Sequence, residues 1–491
     1  MHIDSPDTPG GTASAAPRTD APLLAVVVLC LGGLAAAMTQ TMVIPIQSEL
    51  PRLLSTSASN AGWVVTVTLL AAAVTMPVAG RLGDLFGKQR VLVASASILA
   101  VGSAVAATSD SLAPMLSGRV LQGMGMGFIP VGISIIRDIC PPRLAGTSVA
   151  AMSATLGVGG AIGLPLSAWV VQSGNWHALF WIATGLAVAI AVATWFAVPH
   201  VAPATSGRLD LLGAGLLAVA LVSFLVGVSK AAQWGWGDPR TLGAIALGLV
   251  VGLVWGAYEL RHDEPLVDLR TSARPTVLLT NLAAVAIGFG MMAQSIVVPQ
   301  LLQLPGATGY GLGQSILAAG LWMAPAGLMM MVFAPVSSQL IRRAGARTTL
   351  VLGAAVLGTG YLVALALMGA PWQLLVASCV TSAGVGIGYA AMPTLILDAV
   401  PPREAGAAVG LNALMRSLGT TLAAAVMATL LSSSTQALGP VQVPTQGAFQ
   451  LCFVIGAAAA FVGMLIALAA PRTVAPAAAP RQADAVAAQA D

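Results

Sequence analysis

Apolar residues in this 491-residue chain come in long runs, not in the alternation of a half-buried strand. Breaks that hold charged residues, Gly or Pro separate the runs. They leave fourteen candidate spans, at about residues 22–46, 60–79, 91–108, 112–136, 146–170, 178–198, 211–229, 241–258, 276–301, 313–340, 347–368, 372–397, 405–431 and 448–470. At 1.5 Å per residue each reaches roughly 27–42 Å, enough for a hydrocarbon core of about 30 Å, the longer ones with tilt or an extramembrane turn. Backbone groups in lipid must be satisfied internally, so the spans are helices or a closed barrel, and runs of this length fit helices.

Composition strengthens this pattern. Hydrophobic residues make up 57% of the chain and charged residues 8%, against about 25% charged in soluble domains. No soluble fold of this length has enough interior for so much apolar surface. The distribution of charge then orients the spans. An even number puts both termini on one side, and basic residues favour the cytosol. With cytosolic termini, only Arg52, Lys230 and Arg240 fall in outer segments and only Arg119 and Arg416 inside spans; the rest of the 21 Lys and Arg are cytosolic. A missed span in mid-chain would scramble that asymmetry. The first residues are acidic and rich in Pro, Ser and Thr, unlike a signal peptide, and the Ala/Pro/Gln-rich end reads as a disordered tail. Cys30, Cys140, Cys379 and Cys452 have no ligand spacing and read as small apolar side chains. No metal, cofactor or nucleic-acid partner is expected. The four scattered histidines have no acid beside them in a span, which argues against an enzyme.

Two segments nearly repeat each other. Residues 123–146 read GMGMGFIPVGISIIRDICPPRLAG and residues 384–406 read GVGIGYAAMPTLILDAVPPREAG. Gln40 to Pro45 with Pro51 matches Gln294 to Pro299 with Pro305, and Pro77, Leu82 and Gly87 match Pro335, Leu340 and Gly345. The slowly growing offset is that of a duplication, a common construction of transporters. The expected organisation is a cytosolic N-tail (1–21), a six-helix half (22–198), two extra helices with a linker (199–275), a second six-helix half (276–470) and a cytosolic C-tail (471–491). The alternate glycines at 123–127 and 384–388 lie inside apolar spans with no preceding strand, so they are not a nucleotide loop.

Several polar residues are out of place in lipid. Arg119 lies roughly 10 Å inside its span, where a charge costs about 2.5–3.5 kcal/mol. It either faces a cavity, handling protons or an anionic substrate, or is capped by carbonyls of a neighbouring helix. Arg416 lies deep in span thirteen, with Asn412 one turn earlier as a partner. Gln40 and Gln294 occupy equivalent places in the first helix of each half, as interhelical glue or as substrate contacts. Gly80-Arg81-Leu-Gly83-Asp84-Leu-Phe-Gly87-Lys88-Gln-Arg90 forms a basic cytosolic connection holding one acid. An acid there gains from a helix N-terminus, and one in the second half is the expected partner of Asp84. Trp63, Trp176, Trp234, Trp236 and Trp372 fall near outer boundaries and read as an aromatic belt.

The Gly80–Arg90 segment resembles the signature loop of the major facilitator superfamily through Gly80, Leu82, Asp84, Gly87, Lys88 and Arg90. Leu116, Arg119, Gln122 and Gly123 resemble the family's fourth-helix motif. Gly159, Gly163 and Pro165 resemble its antiporter motif, although Leu164 stands where the proline is expected. The fourteen-helix form, with Trp234-Gly-Trp236, Pro401–Gly406, Asn412 and Arg416, resembles the drug:proton antiporter branch. The resemblance implies an all-α polytopic membrane protein, with fourteen transmembrane helices as six plus two plus six around a central cavity. It implies export of amphipathic organic compounds by alternating access and coupled to protons, in the plasma (inner) membrane, by a monomer. The implied substrate and proton pathway comprises Arg119, Gln40, Gln294, Thr39, Gln122, Asn412 and Arg416. The implied gating loop comprises Gly80, Arg81, Gly83, Asp84, Gly87, Lys88 and Arg90. The chain departs from the family at Thr39, where many proton-coupled members carry an Asp, and no Asp or Glu lies well inside any span. An ion-coupled importer of a nutrient or organic anion, and a membrane sensor or assembly protein without transport, are the alternatives.

Overall fold

The computed structural model describes residues 22–471 apart from 44, 45, 47, 48, 173, 174, 204, 206, 439 and 440. Both tails, expected to be unstructured, lie outside the described residues except for Pro471. The described residues hold thirteen helical stretches long and apolar enough to cross a membrane. One of them, Ile316–Ala366, is 51 residues long, which at 1.5 Å per residue is about 76 Å, more than twice a membrane core. Gly345 inside it has φ 83° and ψ 157°, a conformation no helix holds, so this stretch is two helices folded back at a glycine. Counted so, the helices number fourteen. They are α1 (Pro22–Thr41), α2 (Trp63–Phe86), α3 (Lys88–Ala107), α4 (Leu112–Ile139), α5 (Pro142–Gln172), α6 (His177–Ala197), α7 (Leu211–Trp234), α8 (Pro239–Glu259), α9 (Pro275–Gln303), α10 (316–344), α11 (346–366), α12 (Pro371–Ala399), α13 (Ala405–Ser433) and α14 (Gln446–Ala469).

The sequence repeats reappear as repeated backbone conformations. Gly87, between α2 and α3, has φ 93°, and its counterpart Gly345 makes the matching turn between α10 and α11. That region is essentially confined to glycine, and a side chain there costs about 1–3 kcal/mol. Helices α4 and α12 are each interrupted at the end of their three alternate glycines, at Met126–Gly127 and at Ala390. A proline follows within four residues in both, Pro130 and Pro393. Proline lacks an N–H, and its ring collides with the carbonyl four residues back, which places the break there.

Helices α1–α6 and α9–α14 each enclose an apolar core. The first of these cores continues through Ile396, Leu397, Val400, Ala405 and Val409 of the second group, so the groups share packing at the end where the basic residues collect. Helices α7 and α8 pack on each other, and α7 lies against α2 and α13. There Leu217, Leu221 and Leu225 of α7 join Leu70 and Ala73 of α2 and Leu414 of α13 in one cluster. The far face of α8 carries exposed Leu247, Leu249, Val250, Leu253 and Val254, the surface expected of a helix bathed in lipid.

Two outer features differ from the sequence expectation. The segment before α14 holds a short antiparallel hairpin, Thr435–Leu438 with Val441–Pro444, in a chain expected to be all-α. The aromatic belt is partial. Trp372 is exposed, but Trp63 places its ring under Lys230 Nζ at 4.5 Å, and Trp236 Nε1 donates to Thr429 Oγ1 at 2.9 Å. Trp176 is buried against His177 and Phe180. Each of these three indoles finds a protein partner that the boundary position alone does not disclose.

Candidate functional site

The connection between α2 and α3 is built onto the first turn of α13. Asp84 is fully buried, at 0% exposure. Its Oδ1 accepts from the Gly406 N–H at 3.1 Å and its Oδ2 from the Ala407 N–H at 3.0 Å. These are among the N–H groups that a helix start leaves without intrahelical partners, at the positive end of the helix dipole. A carboxylate is the natural occupant, and here it comes from the other half of the chain. Lys88 Nζ lies 4.0 Å from Asp84 Oδ1 and 2.6 Å from Asp138 Oδ2, so one buried ammonium ties the connection to the end of α4. Gly83 is covered by Lys88 and Val131, Arg81 is half-buried, and Arg90 is exposed.

Glycine makes this junction possible. A Cβ on Gly406 would stand 2.5 Å from the Gly80 carbonyl oxygen and 2.7 Å from Asp84 Oδ1, and a Cβ on Gly80 would clash with the Gly406 carbonyl. Gly406→Val is therefore expected to hold α13 off α2. Overpacking of about 1–3 kcal/mol lowers the closed population relative to the open one by roughly 5- to 150-fold. Labelling of a cysteine placed in the cytosolic seam measures this, and Gly406→Ala should give the same change in smaller degree.

The two repeats meet each other at the same end. Arg137, in the first copy, donates through Nη1 to the Leu397 carbonyl of the second, and its Nη2 lies 4.0 Å from Asp398. Thr147 Oγ1 and Ser338 Oγ, from α5 and α10, are 2.8 Å apart. The end where the basic residues collect is thus closed by polar contacts between the halves.

Deeper in the first half, Arg119 is 1% exposed and gathers four helices. Its Nε donates to the Val64 carbonyl of α2 at 2.9 Å. Its Nη1 donates to the Thr39 carbonyl of α1 at 3.0 Å and to Gln122 Oε1 at 2.6 Å. Gln122 passes the chain on to Ser103 Oγ of α3 at 2.9 Å. Of the two arrangements expected for Arg119, carbonyl capping is the one present. No carboxylate among the described residues pairs with it.

The second half carries a similar network. Arg416 Nε donates to Tyr389 Oη at 2.9 Å, its Nη1 donates to Asn412 Oδ1 at 2.6 Å, and the guanidinium lies 4.5 Å from the Tyr389 ring centre. Asn412 Nδ2 donates to Asn281 Oδ1 of α9 at 2.9 Å. Asn412 was legible from its one-turn spacing. Asn281 and Tyr389 were missed, although an amide inside an apolar span and a tyrosine directly after repeated glycines were both visible.

The glutamines are not equivalent. Gln294 is buried and donates to the Ser378 carbonyl at 3.4 Å, whereas Gln40 is half-buried. Thr39 contributes its carbonyl to Arg119 and turns its hydroxyl to the Ala36 carbonyl at 2.6 Å. The antiporter-like glycines pack α5 on α1. Gly159 abuts Ala37 and its carbonyl accepts from Thr41 Oγ1 at 3.3 Å, Gly163 abuts Thr41, and Pro165 is half-buried nearby. No group of three or more metal-ligating side chains occurs among the described residues.

Comparison with known proteins agrees with this construction. The family model for the Major Facilitator Superfamily matches residues 29–302 and 280–490. An uncharacterized MFS-type transporter of Bacillus subtilis, YhcA, is 26% identical over 334 residues. That match covers 68% of this chain but 62% of the relative, so the chain spans less than two thirds of that protein's length. The tetracenomycin C resistance and export protein of Streptomyces glaucescens is 28% identical over 446 residues, covering 88% of this chain and 80% of the relative. Among solved structures, that of the human organic anion transporter MFSD10 superimposes with a TM-score of 0.65 at 17% identity, over 92% of this chain and all of that one, a likeness of fold.

Proposed function

The chain belongs to the major facilitator superfamily, and on that premise we propose that it exports amphipathic organic compounds by alternating access, driven by the proton gradient. It is a multi-pass membrane transporter of the drug-efflux-like kind, seated in the plasma membrane. The observation that carries the alternating-access reading is the Asp84 carboxylate on the first turn of α13. It joins the two six-helix halves at the cytosolic end, through hydrogen bonds that rocking of the halves breaks and remakes. In this reading Arg119, Gln122, Thr39 and Gln40 of the first half, and Gln294, Asn412 and Arg416 of the second, come to the pathway as the halves rock. The motif Gly159, Gly163 and Pro165 lets α5 slide on α1. The direction and the substrate class rest on the export function for which the Streptomyces relative is named.

A panel of amphipathic compounds tests it, in a strain lacking and then expressing the protein, with and without a protonophore. The expected result is resistance that appears with expression and disappears when the gradient collapses. Protonophore-insensitive export removes proton coupling. The second reading, an importer of an organic anion, draws on Arg119, a buried cation with no paired carboxylate. Reversing the imposed gradient in proteoliposomes separates the two, since an inward proton gradient drives uptake through a symporting importer and an outward one drives uptake through an antiporter.

A further inference from the structure

Two carboxyl side chains meet in the protein interior at the cytosolic ends of α7 and α8. Asp210 precedes α7, and its Oδ1 accepts from the Gly213 N–H at 2.8 Å and from Tyr258 Oη at 3.1 Å. Glu259 ends α8, and its Oε2 accepts from the Leu266 N–H at 3.0 Å. Each acid keeps one oxygen without a partner, Asp210 Oδ2 and Glu259 Oε1. Yet Asp210 is only 7% exposed and Glu259 only 2%. The two orphaned oxygens converge. A Cβ on Gly213 would clash with Asp210 Oδ2 and stand 2.8 Å from Glu259 Oε1, so the space they share exists because residue 213 is glycine.

Arg208, Arg261, His262 and Asp263 line the cleft beside Asp210, and the inner side of the pair is apolar. Helices α2 and α13 contribute Leu70, Ala73 and Leu414 to the adjoining cluster, and the connection after α8 contributes Leu266 and Val267. Tyr258 is the titratable neighbour from α8 itself. Farther along the connection, Glu264 Oε2 takes the Arg208 N–H and His262 Nδ1 takes the Glu264 N–H, both toward solvent. No basic side chain among the described residues forms an ion pair with Asp210 or Glu259.

Two carboxylates facing each other in a dry site repel, and each unpaired buried oxygen adds its own desolvation cost. One proton removes both penalties, because an O–H on one acid donates to the free oxygen of the other. Asp210 Oδ1 receives two donors, one of them a helix-start N–H, which favours its anion, and Glu259 is the more deeply buried acid, which favours its neutral form and places the proton on Glu259. We propose that Asp210 and Glu259 form a proton-binding site, with Glu259 carrying the proton and Asp210 accepting its hydrogen bond. The site has a mechanical outlet. Glu259 holds the Leu266 N–H, and Leu266 and Val267 are wedged among α2, α7 and α13, two of which are the helices joined at Asp84. Losing the proton turns the pair into two anions, whose repulsion drives Glu259, and with it the 260–268 connection that it holds, away from Asp210.

Infrared spectra of the purified full-length protein test the site without reference to transport, so failure of the transport reading leaves the outcome unaffected. A protonated-carboxyl band at neutral pH is expected, declining as pH is raised, lost in Glu259→Gln and shifted in Asp210→Asn. Glutamate carrying a labelled carboxyl provides a second reading on the unmutated protein. The band should shift with the label, and a band that ignores it assigns the proton elsewhere and overturns the proposal. An unchanged band in Glu259→Gln does the same. Hydrogen–deuterium exchange of 260–268, corrected for intrinsic rates, should rise with pH in the wild type and stay flat in Glu259→Gln. Identical profiles would remove the link to the connection.

Discussion

Arg119→Ala is expected to reduce transport by roughly a hundredfold or more while leaving the protein in the membrane. The truncation strips a donor from the carbonyls of Val64 and Thr39 and from Gln122 Oε1, all inside the bundle. Each buried acceptor left unsatisfied costs about 1–3 kcal/mol, and about 3 kcal/mol in the competent state is already a factor of roughly a hundred. Arg119→Lys divides the effect. It keeps the charge but replaces a planar fork by a compact ammonium that cannot reach three acceptors on three helices in the same way. If charge at this depth is what transport needs, Lys should restore a measurable part of the rate. If positioning of α1, α2 and α4 is what matters, Lys should be nearly as poor as Ala. Transport per molecule of detergent-stable protein is the measurement, and wild-type flux in Arg119→Ala would remove this residue from the pathway.

Asp84→Asn is expected to shift the protein toward the state open to the cytosol. The carboxylate accepts two backbone N–H groups at a helix N-terminus. An amide has one acceptor oxygen and turns an NH2 toward the other N–H. Hydrogen bonds to a charged group are worth about 1.5–3 kcal/mol each, so a loss of about 2 kcal/mol is expected, or roughly 30-fold in a two-state equilibrium. A labelling reagent applied from the cytosol should modify an engineered seam cysteine faster in the variant, and turnover should fall because the closed state is seldom reached. Unchanged labelling and unchanged turnover together would take the gating role away from Asp84.

Much of this arrangement was legible in the chain. The apolar runs and the asymmetry of Arg and Lys anticipate fourteen helices. The repeat around residues 123–146 and 384–406 reappears as two interrupted helices, each broken ahead of its own proline. Asp84 was legible too, because a lone acid among basic residues beside a glycine implies a positive partner, and an uncapped helix start is such a partner. What stayed hidden depends on which distant backbone comes close. The carbonyls of Val64 and Thr39 around Arg119 leave no mark in a sequence, since every residue has a carbonyl. Thr147 and Ser338 are ordinary hydroxyls until two helices bring them together. Glu259 escaped notice for another reason. It stands one residue beyond the apolar run 241–258, where an acid looks solvated, and its burial comes from α7 and from the returning 266–267 segment.

The central claim is that the two halves separate at the cytosolic end in every transport cycle. A disulfide across the seam tests it most directly. Thr147 Oγ1 and Ser338 Oγ are 2.8 Å apart, and cysteines at these two positions start close to bonding distance once Cys30, Cys140, Cys379 and Cys452 have been replaced. Oxidation of the Thr147→Cys, Ser338→Cys protein should abolish transport, and reduction should restore it. Full transport by the quantitatively cross-linked protein would contradict the account.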